Sequence, residues 1–301
     1  GGGASRRRAA ARGKGRRKGK GEGGGGKGEG GLIVPLPPLA ASSSVVAEGI
    51  LTEAGSFPFT AIMPDWPAPR RVRSLSTTRL GGFSQGAYAG FNLGLHVGDD
   101  PQAVAANRAQ LCALIGSSPR WLEQVHGTTV VDAALLSPDV PPPQADAAFS
   151  RQPGVPCVVM TADCLPVLFC DQAGSVVAAV HAGWRGLLDR VLEATLAAMQ
   201  VPGDSLLAWL GPAIGPQAFE VGEEVRTAFI AIDHRAAAAF VPASPGKWLA
   251  DIYQLARQRL AGQGVERIYG GSFCTVSDAG RFYSYRREGQ TGRMASIVWL
   301  E

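Results

Sequence analysis

From Arg71 to Glu301 the apolar residues recur with two different periods, and the switches between them mark out the elements. Two-residue alternation or short β-branched runs predict strands over Val72–Thr77, Thr128–Ala133, Pro156–Thr161, Leu206–Leu210, Arg267–Phe273, Phe282–Arg286 and Ala295–Leu300. Three-to-four-residue spacing predicts helices over Leu187–Met199 and Leu249–Leu260. A further helix starts at Asp100-Pro101, an acid at the N-cap followed by proline, ahead of Val104, Leu111 and Ile115 on one face. The strands are numerous, several pairs are joined by short turns, and the helices are interspersed instead of strictly alternating. That pattern predicts an α+β fold with mixed or antiparallel sheets in one domain, without repeats or an internal linker. No Gly-x-Gly-x-x-Gly or P-loop follows a strand, which argues against a doubly wound nucleotide-binding sheet.

The densest signal is residues 161–186, TADCLPVLFCDQAGSVVAAVHAGWRG. Leu165–Cys170 and Ser175–Val180 are apolar and β-branched, and Asp171-Gln172-Ala173-Gly174 between them has turn chemistry. A hairpin closed by those four residues pairs Cys170 with Ser175 and, further along, Cys164 with His181. Facing residues project to one side with Cβ atoms about 4.5–5.5 Å apart, close enough to share a metal ion or a proton.

Composition changes the picture mainly at the N-terminus. Residues 1–31 are almost wholly Gly, Arg, Lys, Ala and Glu, with ten Lys/Arg against two Glu, whereas the whole chain carries only +4. The basic character therefore belongs to this arm. Residues 1–62, first Gly/Arg-rich and then Pro/Ala-rich, are expected to be disordered. Met63 is the first methionine, so natural translation is expected to begin there and residues 63–301 to form the catalytic domain. The arm has no aromatic residues between its charges and no nucleic-acid motif follows, so nucleic acid is not an expected partner. No apolar run approaches the ~18–20 residues of a membrane span, and Arg6-Arg7-Arg8 is separated from Leu32–Ala41 by polar glycine-rich text, unlike a secretory signal. Five cysteines without framework spacing point to the reducing cytoplasm.

Three of the four histidines, His96, His126 and His181, lie in polar or glycine-flanked contexts at strand ends, while His234 falls in a surface loop or helix. His126, in QVHG, is the best partner for Cys164 and His181. Two nitrogens and one sulfur would leave a zinc ion one open position, an arrangement catalytic in type. The bland alternative makes Cys164 a small core residue and His181 a hydrogen-bonded strand end. Cys112, Cys157, Cys170 and Cys274 read as core packing. Gly183-Trp184-Arg185-Gly186 opens a helix and forms an anion site with Arg185, or else a tight turn with Arg185 solvated. Arg79, Arg286, Arg287 and Arg293 are equally open between anion clamps and surface ion pairs.

Six ordered segments carry a resemblance: STTRLGGFSQGAYAGFNLGLHVGDDPQAVAANR, QVHG, TADCLPVLFCD, AAVHAGWRG, LGPAIGPQAFEVGEEV and FYSYRREGQTGRMASIVWL. Together they resemble the laccase-domain family, whose bacterial members are called polyphenol-oxidase-like proteins, purine nucleoside phosphorylases or peptidoglycan editing factors. The resemblance runs from about Met63 to Glu301. It implies a layered sandwich of mixed β-sheets flanked by helices, and an active-site metal held by His126, Cys164 and His181, usually zinc, with copper also claimed. It also implies phosphorolysis of adenosine, inosine and methylthioadenosine, with adenosine deamination. Tyr283 stands where phenylalanine is common, and Val276-Ser277 replaces a frequent aromatic-cysteine pair.

Purine nucleoside and phosphate are thus the expected partners. Asp163 is the expected proton shuttle, Gln124 a substrate hydrogen-bonding group, and Arg79, Arg185, Arg286 or Arg293 the phosphate-binding cation. Two other chemistries compete: a metal-free hydrolase or amidase acting on peptidoglycan precursors, with Cys164 as nucleophile and His181 as base, and a copper-dependent polyphenol oxidase.

Overall fold

Apolar runs that lack a polar alternation belong to strands buried on both faces, and the computed structural model places two such strands at its centre. Leu165–Asp171 (β9) and Val177–Ala182 (β10) are buried at every position. The structure describes residues 59–138 and 140–301, together with the strand pieces Val46–Ala47 (β1), Leu51–Thr52 (β2) and Gly55–Ser56 (β3), where β2 pairs with β3. All of these belong to one compact unit, Ala41–Glu301.

The first sheet is antiparallel throughout. It comprises β1, Phe59–Ile62 (β4), Val72–Gly81 (β5), Cys157–Thr161 (β8) and Met294–Leu300 (β16), in the order β1-β4-β5-β16-β8. The second adds Val130–Asp132 (β6), Ala147–Ser150 (β7), Leu206–Leu210 (β11) and Arg267–Gly270 (β15) to the central hairpin, in the order β15-β11-β9-β10-β7-β6. Its two edge pairs, β11 with β15 and β6 with β7, are parallel. A small antiparallel sheet of Glu220–Gly222 (β12), Phe240–Pro242 (β13) and Lys247–Ala250 (β14) was not foreseen from the sequence.

Period-two alternation sorts the core into layers. Leu168 and Cys170 of β9 meet Val159, Val298 and Trp209 between the two large sheets. Val167 and Phe169 point the other way, into a core shared with Trp184–Leu188 (α2), Val191–Met199 (α3), Glu223–Ile232 (α4) and Ile252–Gly262 (α5). On the far side of the first sheet, Val158, Met160, Ala295 and Ile297 pack with Leu111 of Pro101–Ile115 (α1). The result is the expected layered sandwich of mixed sheets flanked by helices. Asp100 caps α1 as expected, accepting from the Gln102 N–H at 3.0 Å.

Four expectations are corrected. The hairpin register is displaced by two residues, so that His181 faces Pro166 and Cys170 faces Val177. Asp171 is the reason: its carboxylate accepts from the Ser175 N–H and hydroxyl, both at 2.6 Å, and from the Val176 N–H at 3.1 Å, which makes Gln172–Ser175 the loop. A two-residue slip preserves which face each side chain takes. Leu187–Met199 is two helices, broken where Arg190 adopts a left-handed φ of 76° and where Arg259 Nη2 donates to the Leu187 and Leu188 carbonyls. Phe282–Arg286 is no strand: Phe282 and Tyr283 are buried, and Ser284 caps the single turn Tyr285–Glu288 (α6). Tyr283 earns its hydroxyl by donating to the Tyr88 carbonyl at 2.8 Å.

The fourth correction concerns the boundary at Met63. The disordered arm expected over 1–62 lies outside the described residues except for β1 to β4, and β4 is part of the first sheet. Ala61 and Ile62 are fully buried, and the Phe59 ring stacks on Phe91 with centroids 4.0 Å apart. The folded body therefore begins no later than Phe59. Phe59→Ala should lower the unfolding free energy by about 3 kcal/mol, the usual cost of truncating a buried phenylalanine, read from the midpoint of a urea titration. An unchanged midpoint would return the boundary to Met63.

Candidate metal centre

A carboxylate taken out of water is tolerated only when its lone pairs are satisfied, and Asp146 meets that condition with functional groups. It is fully buried just before β7. Its Oδ1 accepts from the His126 N–H at 2.9 Å and from His181 Nδ1 at 2.7 Å. Its Oδ2 accepts from the Gly127 N–H at 2.6 Å and the Val125 N–H at 3.2 Å, while its own carbonyl accepts from the His181 N–H at 2.7 Å. Burial pushes this carboxyl up, but the donors from His181, Gly127 and Val125 outweigh burial and hold it below the usual aspartate range. One side chain thereby fixes the loop that presents His126 and the ring of His181. With Nδ1 committed, His181 offers Nε2 outward.

Cys164 completes the group from the entry to β9. The residue before it, Asp163, has φ 93°, and His126 has φ 62°, two non-glycine residues in left-handed backbone at one site. Cys164 Sγ lies 3.6 Å from His126 Nε2, and the two imidazole centroids are 4.7 Å apart at 71°. The ligand atoms of His126, Cys164 and His181 all fall within 4.8 Å of one another. A tetrahedral ion with bonds of about 2.0–2.3 Å separates neighbouring N and S ligands by about 3.6 Å, so the donor set fits a metal such as zinc.

The backbone leaves room for this convergence at Gly183. A Cβ there would stand 2.7 Å from His126 Cδ2 and 3.1 Å from Cys164 Sγ. Burial pushes the Cys164 thiol up, yet the two imidazoles more than reverse this and lower it to about 6. Burial lowers His181, and the Cys164 sulfur and the Asp146 carboxylate raise it to about 9. The sulfur is thus held toward the thiolate, the form that ligates metals. By contrast burial drives Cys157 upward and Cys170 up to about 12, as inert core thiols. Cys274 is not in that core: it is half-buried and accepts from the Gly215 and Ser277 N–H groups.

The triad opens into a cavity of about 910 Å³ lined by Trp121, Trp184, Phe219 and Tyr285 among others. The other expected site residues divide. Arg185, Arg286 and Arg293 line this cavity, as do Asp163 and Gln124, but Arg79 does not. Arg79 instead pairs with Glu288 at 2.8 Å and lies over the Tyr283 ring. Each Asp163 carboxylate oxygen already accepts one hydrogen bond. Its carboxylate accepts from Thr275 Oγ1 and from the Arg286 N–H, both at 2.6 Å, tying the C-terminal segment to the metal loop. Gln124 spends both ends of its amide on the Met160 backbone, at 2.8 Å each, and holds the His126 loop against β8. Arg185 is exposed and lies over Trp184 with its centroid distance at 4.5 Å. Asp146, Gly183 and Arg108 were missed from sequence, and only Asp146, an acid leading into the largely apolar strand Ala147–Ser150, left a readable sign.

Asp146→Asn should keep the fold while weakening zinc binding by about 10–100-fold, read by competition with a chromophoric chelator. Gly183→Ala should weaken it at least as much by displacing the His126 ring. Wild-type zinc affinity in both variants would refute this account of the centre.

Residues 73–301 match the family model described as "Multi-copper polyphenol oxidoreductase laccase". The chain is 59% identical over 244 residues to a purine nucleoside phosphorylase of Pseudomonas aeruginosa, spanning 80% of this chain and 98% of that protein. It is 55% identical over 241 residues to the purine nucleoside phosphorylase YfiH of Escherichia coli, spanning 79% and 98%. A crystal structure from Neisseria meningitidis superposes with a TM-score of 0.78 at 53% identity, over 80% of this chain and 99% of that one. With 229 of its residues under the family model and relatives matched along nearly their whole length, the chain belongs to the laccase-like family that includes these purine nucleoside phosphorylases.

Proposed function

We propose that this protein is a zinc-dependent purine nucleoside phosphorylase that cleaves adenosine, inosine and methylthioadenosine, with adenosine deamination as a second activity of the same site. The observation that carries the reading is the convergence of His126, Cys164 and His181 on a cavity that also bears aromatic and cationic side chains. The names of the relatives support it.

In phosphorolysis a phosphate oxygen bonds to C1′ of the ribose as the C1′–N9 bond breaks. The electron pair leaves with the purine, which takes up a proton. This chain supplies flat apolar surface for a base from Phe219, Trp184 and Tyr285, and cationic lining for the anion. Asp146 fixes the ring of His181, Gln124 holds the His126 loop, and Asp163 holds the Arg286 backbone at the cavity wall. When bound, zinc supplies Lewis acidity, and three protein ligands leave a fourth position open. The five cysteines, none in a disulfide, suit the cytoplasm.

One observation favours a second reading. Asp146, His181 and Cys164 are arranged as orienting acid, base and thiol nucleophile, which would serve a Cys-His hydrolase or amidase acting on peptidoglycan precursors. That reading gives His126 no task. The copper-dependent polyphenol oxidase is disfavoured for a different reason: a single three-ligand group cannot house the separate electron-transfer and oxygen-reducing coppers of a true laccase.

Purified protein should carry about one zinc per chain and release adenine or hypoxanthine only when phosphate is present, measured by metal analysis beside a chromatographic nucleoside assay. His126→Ala should lose both the metal and at least about 100-fold in rate. Activity that resists chelators and His126→Ala but is abolished by iodoacetamide would instead favour the hydrolase.

A further inference from the structure

Charged side chains partly withdrawn from water are normally paired, so half-buried cations without a carboxylate partner point to an anion that is not part of the chain. Two guanidinium groups on the cavity wall fit this description. Arg108, on α1, gives Nε and Nη2 to the single Leu93 carbonyl at 2.9 and 2.8 Å and stacks over Trp121 at 3.8 Å. Arg293, just before β16, gives Nη1 to the Thr291 and Gly292 carbonyls, both at 3.0 Å, and its stem packs against Gly94, where a Cβ would lie 2.8 Å from Cγ. Neither is ion-paired among the described residues. Both side chains line the cavity, and neither has a fully buried unpartnered nitrogen, so their remaining N–H groups are accessible to solvent or to a ligand.

A guanidinium has five N–H donors. Backbone carbonyls therefore fix each plane while leaving part of its fork unused, a rigid presentation suited to a multidentate oxyanion. His96 lines the same wall and makes no hydrogen bond or ion pair among the described residues. Burial lowers Arg108 to about 10, and His96 is lowered by burial and then by Arg293 and Arg108, which places the three side chains in one electrostatic neighbourhood. Arg293 in turn feels the Cys164 sulfur and Asp163, so this neighbourhood adjoins the metal centre. Asp163 is engaged by Thr275 and the Arg286 N–H, and Asp99 by Asn92 and the Asp100 N–H; Glu123, exposed, also lines the cavity but pairs with neither guanidinium. Arg185 and Arg286 are solvent-exposed, as His96 also is, and salt screens charge there, so the two half-buried guanidinium groups carry the site and His96 stands at its edge.

We infer that Arg108, Arg293 and His96 form the subsite for a phosphate dianion, and that free inorganic phosphate is its occupant. The assignment rests on the phosphorylase reading for its role in turnover, but the subsite can be tested by binding alone. Its chemistry would equally take the phosphoryl group of a nucleoside monophosphate, so both ligands are needed in the test.

Binding of inorganic phosphate to the zinc-loaded full chain, by calorimetry with ³¹P NMR as a second readout, is the experiment. Arg108→Met and Arg293→Met should weaken it at least about tenfold. His96→Asn, a change at an exposed side chain that leaves folding out of doubt, should weaken it about threefold. Thermal unfolding establishes that each variant is folded. Wild-type affinity in folded Arg108→Met and Arg293→Met would overturn the subsite, and so would failure of the wild type to bind millimolar phosphate. If adenosine monophosphate binds at least tenfold more tightly than adenosine while inorganic phosphate does not bind, the occupant is a substrate phosphoryl group and the assignment is wrong. If phosphate binds at these residues yet purine release does not depend on it, the subsite stands and the phosphorylase reading fails.

Discussion

The candidate metal centre is built on one carboxylate. Asp146 accepts three successive backbone N–H groups of the His126 loop and the Nδ1 proton of His181, so the two imidazole ligands share an anchor and cannot shift independently. An isolated buried carboxylate would cost several kcal/mol, and here that penalty is offset by four donors supplied by the ligating segments themselves. Removing the carboxylate would leave those donors orphaned as well as freeing the rings. The interaction is structural and chemical at once.

Around this anchor the layers divide the labour. The second sheet supplies Cys164 and His181 from its central hairpin, where two-sided burial gives the backbone little room to move. Met160 of the first sheet, Arg108 of α1 and Arg293 just before β16 line the same cavity as His126, Cys164 and His181. Asp163 and Gln124 cross between these parts by bonding backbone, the first to the C-terminal segment and the second to β8. Both were expected to touch substrate. Their hydrogen bonds give both a part in building the cavity wall that they line.

What was legible in the sequence follows from what is local. Hairpin parity survives a two-residue error in register, so Cys164 and His181 could be placed on one side even though the loop was misassigned. Asp100 capping α1 is likewise a local event. His126 was identified by chemistry and by motif, since nothing near it in the chain says that it will approach Cys164. Asp146 escaped because its partners lie 19 to 35 positions away in the chain. Arg79 was open between an anion clamp and a surface ion pair, and its partner Glu288 lies far along the chain, with the guanidinium outside the cavity lining. Phe282 and Tyr283 have strand-like character, yet their burial against Met294 and the Tyr88 carbonyl leads into a one-turn helix.

The unequal separation of the three ligands along the chain bears on assembly. Cys164 and His181 flank a single hairpin and can be near each other as soon as that local unit forms, whereas His126 reaches them only after Asp146 has drawn its loop beneath the second sheet. Short-range contacts generally precede long-range ones because less loop entropy is lost in making them. The three-residue group is therefore complete only once the long-range contact between the His126 loop and Asp146 has formed.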